Sequence, residues 1–106
     1  MIPSELESHL LTHTAIADAC VIPIPDPRTG EAPKAYVVKT AECRDIDDVS
    51  LGEIVKTYVQ EHKARHKWLK GVEFVERIPK SGTGKILRRV VRDWERELRR
   101  ERGARM

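Results

Sequence analysis

The chain has 106 residues, 40% of them apolar and 35% charged, with six glycines and six prolines; this is about one globular domain and excludes collagen-like and low-complexity classes. No apolar run approaches the ~20 residues that a membrane-spanning helix requires. The net charge of +3 divides into a basic stretch (residues 80–106, ten basic and four acidic) and a mildly acidic remainder (residues 1–79, ten basic and thirteen acidic); Asp93, Glu95, Glu97 and Glu101 interleave the arginines, dilute any phosphate-binding stripe and argue against nucleic acid.

No basic-then-apolar leader precedes Pro3, so no secretory signal is expected. Ser4 and Glu7 have capping-box spacing and predict a first helix with Leu6, Leu10 and Leu11 on one face. His9 and His13 stand at helical i, i+4 spacing, as do His62 and His66. Either pair could grip a metal, but neither has a suitable further ligand or an HExxH glutamate, so no metal site is expected.

Ala19 to Ile24 is an apolar run closed by Pro25, Asp26, Pro27 and Gly30, which reads as a strand entering a turn. Pro23 within it points to an edge or a bulge. Cys20 is expected in the core; with Cys43 it makes no disulfide framework, which favours a reducing compartment. Ala35 to Val38 predicts a second short strand, and Glu42 to Asp48 a loop. Ser50 and Glu53 repeat the capping-box signal ahead of an amphipathic helix whose stripe is Leu51, Ile54, Val55, Tyr58 and Val59. Gly71 to Glu76 predicts a third strand with Val72 and Phe74 on one face. After a loop, a long helix is predicted with Ile86, Leu87, Val90, Val91, Trp94 and Leu98 as its stripe. Arg92 with Glu95, and Glu97 with Arg100, are spaced to pair on its surface. Helix, strand, strand, helix, strand, helix is a small α+β domain, about three strands with helices packed on them.

The loop ahead of that last helix, Pro79-Lys80-Ser81-Gly82-Thr83-Gly84-Lys85, looks at first like a phosphate loop. It fails the GxxxxGK[ST] pattern, with Pro79 in place of the first glycine and Ile86 in place of Ser or Thr. What remains is a Gly-Thr-Gly loop presenting Lys85 at the expected start of a helix, the end of the dipole that prefers anions. A long-stemmed point charge there suits a contact with a moving anion. A chain this short has no room for a nucleotide site, an acyl pocket and a catalytic apparatus together.

Four segments in order resemble the C-terminal domain of the adenylate-forming superfamily: acyl-CoA and aryl-CoA synthetases, luciferases and peptide-synthetase adenylation domains. Ile2-Pro3-Ser4-Glu5-Leu6-Glu7 is similar to its "V-x-P-x-E-L-E" opening. His13, Ile16, Asp18-Ala19 and Val21 follow "H-P-x-V-x-D-A-A-V", with Thr14 where the family prefers Pro. Residues 30–38, GEAPKAYVV, are similar to "G-E-x-P-x-A-F-V-V". Residues 71–89, GVEFVERIPKSGTGKILRR, resemble the terminal motif, with Gly82 where Pro, Ala or Arg is common. The Ile86-Leu87-Arg88-Arg89 ending resembles the CoA ligases rather than the peptide-synthetase pattern, and the spacing around His66-Lys67 and Ile78-Pro79-Lys80-Ser81 is closest to the 4-coumarate-CoA-ligase-like branch.

The resemblance implies a lid domain spanning residues 1–106, whose large ATP- and acyl-binding N-terminal partner is absent. It places Lys85 at the adenylation lysine, supported by Pro79, Lys80, Ser81, Gly82, Thr83 and Gly84. It implies ATP, Mg²⁺, CoA and a carboxylic acid as the ligands of the intact enzyme, mostly on the missing domain, with none held by this piece and no activity of its own. It also implies a swing between an adenylating and a thioesterifying pose, and acetylation as an off-switch for Lys85. Ala104-Arg105-Met106 resembles a relaxed peroxisomal address, with Gly103 ending the helix before it. The competing expectation is a free-standing basic binding module that uses its arginine-rich last helix.

Overall fold

The computed structural model describes residues 3–28, 30–63 and 68–104. It contains α1 (Pro3–Leu10), β1 (Ile16–Asp26), β2 (Gly30–Lys39), α2 (Asp48–His62), β3 (Gly71–Phe74) and α3 (Arg88–Ala104), with one 3-10 turn at Ala41–Cys43. The order β1-β2-β3 makes a mixed sheet: β1 pairs antiparallel with β2, and β3 pairs parallel to it. The α+β architecture and element order are those expected.

β1 and β2 are longer than the apolar runs that announced them, whereas β3 is shorter, ending at Phe74 rather than Glu76. β1 and β2 form a hairpin closed by the pair Asp26 and Gly30, so Pro25 and Asp26 belong to the strand. Gly30, at φ 84°, takes the left-handed conformation that glycine adopts without cost. Pro23 lies on an edge strand, as its missing N–H requires, opposite Pro33 of β2. The register shifts between Ile16 and Asp18, a bulge at the start of β1.

Alternation along β1 and β2 divides the core in two. Ala19, Val21, Ala35 and Val37 face α1 and α2, meeting Leu6, Leu10, Leu51, Val55 and Val59, with Val72 and Phe74 of β3 alongside. Cys20, Ile22, Ile24 and Tyr36 face the other way, meeting Ile78 and Val91, with Ile86, Trp94 and Leu98 at the margin. Three helices thus cover both faces of three strands.

The helix starts depart from expectation. Pro3 already lies within α1, so Ser4 is inside the first turn, and Glu7 is a buried acceptor rather than a cap. Leu11 follows the helix and is exposed. At α2 the cap is Asp47, whose carboxylate accepts from Ser50 N–H at 2.8 Å; Ser50 and Glu53 fall inside the helix. That bond holds the Asp47 carboxyl below its ordinary range. Ile54, at 46% exposure, lies off the buried stripe. α3 starts at Arg88, so Ile86 and Leu87 precede it, and Leu87 is exposed. Gly103 does not stop α3, which continues to Ala104.

Charge also occupies the face beneath α3. Glu95 is buried and accepts from Lys34 Nζ at 2.6 Å, Tyr36 Oη at 2.8 Å and Arg99 Nε at 2.8 Å. Burial alone would raise its carboxyl, but those bonds outweigh burial and hold it below the usual glutamate range. The expected Arg92–Glu95 surface pair is therefore replaced, because Glu95 turns inward. Glu97 and Arg100 do pair, as expected. Burial and the bond to Glu95 push the Tyr36 phenol upward.

Candidate functional site

The segment carrying Lys85 is a small hairpin. Lys80 and Ile86 form an antiparallel bridge, Leu87 N–H donates to Pro79 O at 2.9 Å, and Ser81 N–H donates to Lys85 O at 2.8 Å. At the tip, Gly84 N–H donates to Ser81 O at 2.9 Å, closing a turn over Gly82 and Thr83. The Ser81 and Thr83 hydroxyls lie 2.9 Å apart, and Lys85 N–H reaches Ser81 Oγ at 3.3 Å. Gly84 has φ 88°, a conformation that strains other residues. At Gly82 nothing lies within 4 Å of an added Cβ, so this turn accommodates the larger residues common there in the resembling sequences.

This arrangement corrects the expected placement of Lys85. It is not at a helix N-terminus but in the hairpin arm, three residues before Arg88 begins α3. The dipole argument against a cation there therefore falls away. The Lys85 side chain is exposed and makes no hydrogen bond or ion pair among the described residues, so its charge is open to an anion arriving from solvent.

Lys85's neighbours are held down. Lys80 Nζ lies 2.7 Å from Asp18 Oδ2 on β1. Ile78 is buried in the core beneath α3, and Ile86 packs at its edge. Arg88 pairs with Glu7 of α1, and the second Glu7 oxygen accepts from Val21 N–H at 2.8 Å. Arg88 Nε is buried without a partner among the described residues. Sequence reasoning missed Glu7, Asp18 and Arg88 as supports. The usable signal was phase, since Glu7 stands three residues before Leu10 and Arg88 three before Val91, both inward positions.

Among the described residues, His9, His13 and His62 gather around Tyr58 from different elements. His9 stacks on Tyr58 at 4.6 Å between ring centroids, His62 and His9 lie 5.1 Å apart, and His13 meets Tyr58 edge-on at 4.8 Å. Burial lowers the His9 pKa, the bond to Tyr58 O opposes this, and Lys63 and His62 add to the lowering. His66 lies outside the described residues. Among those described, no three His, Cys, Asp or Glu side chains gather as a metal site. Cys20 is buried, and burial raises its thiol pKa to about 12, so it is core, as expected.

Residues 5–85 match the family described as AMP-binding enzyme C-terminal domain. The chain is 44% identical over 103 residues to acyl-CoA ligase lcsD of Purpureocillium lilacinum, covering 93% of this chain and 26% of that protein. It is 47% identical over 90 residues to 4-coumarate–CoA ligase 2 of Oryza sativa subsp. japonica, covering 85% of this chain and 15% of the relative. Among solved structures, anthranilate CoA ligase AuaEII in complex with anthranoyl-AMP superposes with a TM-score of 0.75 at 33% identity, over 86% of this chain and 17% of that one. The chain thus spans about a quarter or less of each relative's length.

Proposed function

Because the chain belongs to the AMP-binding enzyme C-terminal domain family, we propose that it is the mobile lid of an ATP-dependent carboxylic acid:CoA ligase and that Lys85 is its adenylation lysine. The observation that carries this reading is the unpaired Lys85 cation, raised on a braced hairpin and open to solvent. The ATP and acyl sites would lie on a larger N-terminal domain, the lid's principal partner. The relatives' names favour acyl- and aryl-CoA formation, and a structural neighbour was solved with an acyl-adenylate bound.

In the first half-reaction a carboxylate oxygen attacks the α-phosphorus of ATP, the acid–phosphorus bond forms and pyrophosphate leaves. Negative charge grows on the oxygens around that phosphorus. A cation already in place stabilises it without reorganisation, an effect worth about 10²–10³ in rate. Lys85 is suited to this by its long stem and compact charge, and the hairpin limits where its Cα can lie. In the second half-reaction the CoA thiol displaces AMP, and rotation of the lid takes Lys85 away from the phosphate. Mg²⁺ would assist the nucleotide chemistry; the described residues offer it no ligand set, and no step here depends on one from this chain.

Lys85→Ala in the full-length ligase should lower adenylation, read as pyrophosphate release, by about 10²-fold or more. Thioester formation from preformed adenylate should change much less. Equal losses in both half-reactions would overturn this assignment. Loss of the charge by acetylation should act as the Ala variant does. The Ala104-Arg105-Met106 ending, of which Arg105 and Met106 lie outside the described residues, would make a receptor-read peroxisomal address. A fluorescent protein carrying residues 95–106 at its C-terminus should enter peroxisomes and lose that localisation without Met106; diffuse signal from both fusions would reject the address.

A further inference from the structure

Two ionic contacts bind the base of the Lys85 hairpin, one on each arm, and both lead to the same stretch of β1. On the incoming arm Lys80 reaches Asp18 at 2.7 Å. On the outgoing arm Arg88 reaches Glu7, whose other oxygen is tied to Val21 N–H at 2.8 Å. The two contacts differ in burial. The Asp18 and Lys80 side chains are 25% and 41% exposed, whereas the Glu7 side chain is 8% exposed. A charge so desolvated, with both oxygens engaged, has one geometry open to it. Arg88 Nε is buried with no acceptor among the described residues, so Glu7 is the group that fixes this guanidinium.

Arg88 is three residues from Lys85, a reach of at most about 10 Å of extended chain. Catalytic groups must be held within about 0.5 Å of their productive place, and a misplacement of 1 Å can cost about 10²-fold. We propose that Glu7, acting through Arg88, is a positioning residue for Lys85, and that the Asp18–Lys80 pair is the second anchor of the same hairpin. This rests on Lys85 being the adenylation lysine. Glu7 then links α1, β1 and α3 at one point, so that the lysine arm moves with the sheet as a unit when the lid turns.

The test uses the full-length ligase with the variants Glu7→Gln, Arg88→Gln, their double, Asp18→Asn and Lys85→Ala, each scored in both half-reactions. Glutamine keeps an oxygen for Val21 N–H and loses the charge facing Arg88. Glu7→Gln should lower adenylation kcat about tenfold with KM for acid and ATP within about twofold, and thioester formation should stay within about twofold. The Glu7→Gln/Arg88→Gln double should be no worse than either single change. Asp18→Asn, on the more exposed anchor, should lower adenylation about threefold with the same split; it decides the matter if Glu7→Gln does not fold. If Lys85→Ala spares adenylation, the assignment of Lys85 is wrong. If Lys85→Ala removes adenylation while the Glu7, Arg88 and Asp18 variants leave the ratio of the half-reactions unchanged, the positioning proposal is overturned.

Discussion

Replacing Glu95 by alanine should be the costliest single polar change beneath α3. The Lys34 side chain is 6% exposed and lies 2.6 Å from Glu95, so alanine would leave an ammonium desolvated beside a smaller side chain. Removing one partner of a buried pair costs about 3–5 kcal/mol. Glu73 remains 3.2 Å from Lys34, but its own side chain is 27% exposed, which offsets part of the loss and argues for about 3 kcal/mol. At about 4–8 °C per kcal/mol for a domain of this size, Tm should fall by about 12–24 °C. Urea unfolding followed by circular dichroism supplies the free energy directly. Removing both charges with Lys34→Met/Glu95→Leu should recover part of that stability, since well-packed apolar replacements often match a buried ion pair, the remainder being lost with the acceptor of the buried Tyr36 hydroxyl. The pH dependence has a definite sign. The Glu95 carboxyl is held below its ordinary value of 4.5, so the unfolded chain binds the proton more readily. Its stabilisation is complete above 4.5 and disappears as pH falls through the lowered folded value. Glu95→Gln should flatten the acid limb of the stability curve. An Ala variant within about 0.5 kcal/mol of the parent, or a double variant no more stable than Glu95→Ala, would refute the reasoning.

Asp47→Ala should lower the urea midpoint measurably by removing the α2 cap, whereas Glu53→Ala should leave it nearly unchanged; the reverse order would restore the capping box at Ser50. At pH 8 a thiol reagent should titrate Cys43 rapidly in the native chain and reach Cys20 only on unfolding, given its burial and a thiol pKa raised to about 12. Two thiols reacting at equal rates would contradict the described packing.

Local signals carried the architecture, and failed where a single spacing serves two structures. Leu51, Val55 and Val59 are buried as their period demands, and Pro23 marks an edge. Ser4-x-x-Glu7 satisfies the capping pattern, yet Glu7 is claimed by Val21 and Arg88, the latter 81 residues away. Lys34 and Glu95 stand 61 residues apart, and no periodicity pairs two charges at that distance. The Lys85 loop was legible as a candidate site from its composition and its resemblance. Its hairpin was not, because the bridge from Lys80 to Ile86 interrupts what reads as one apolar helical stripe running from Ile86 onward.

The division of the core between the two sheet faces orders events during synthesis. Residues of α1, α2 and all three strands leave the ribosome before α3, so the face holding Ile22, Ile24 and Tyr36 emerges ahead of the helix that covers it. A nascent chain at that stage offers an apolar strip beside the open edge of β1, the kind of surface that invites association or chaperone capture. Lys34 lies on that same face and at that stage faces the partly exposed Glu73 of β3; charge within such a strip acts as a gatekeeper against intermolecular pairing. The lysine that later binds Glu95 thus guards the half-made domain until the helix carrying its partner arrives.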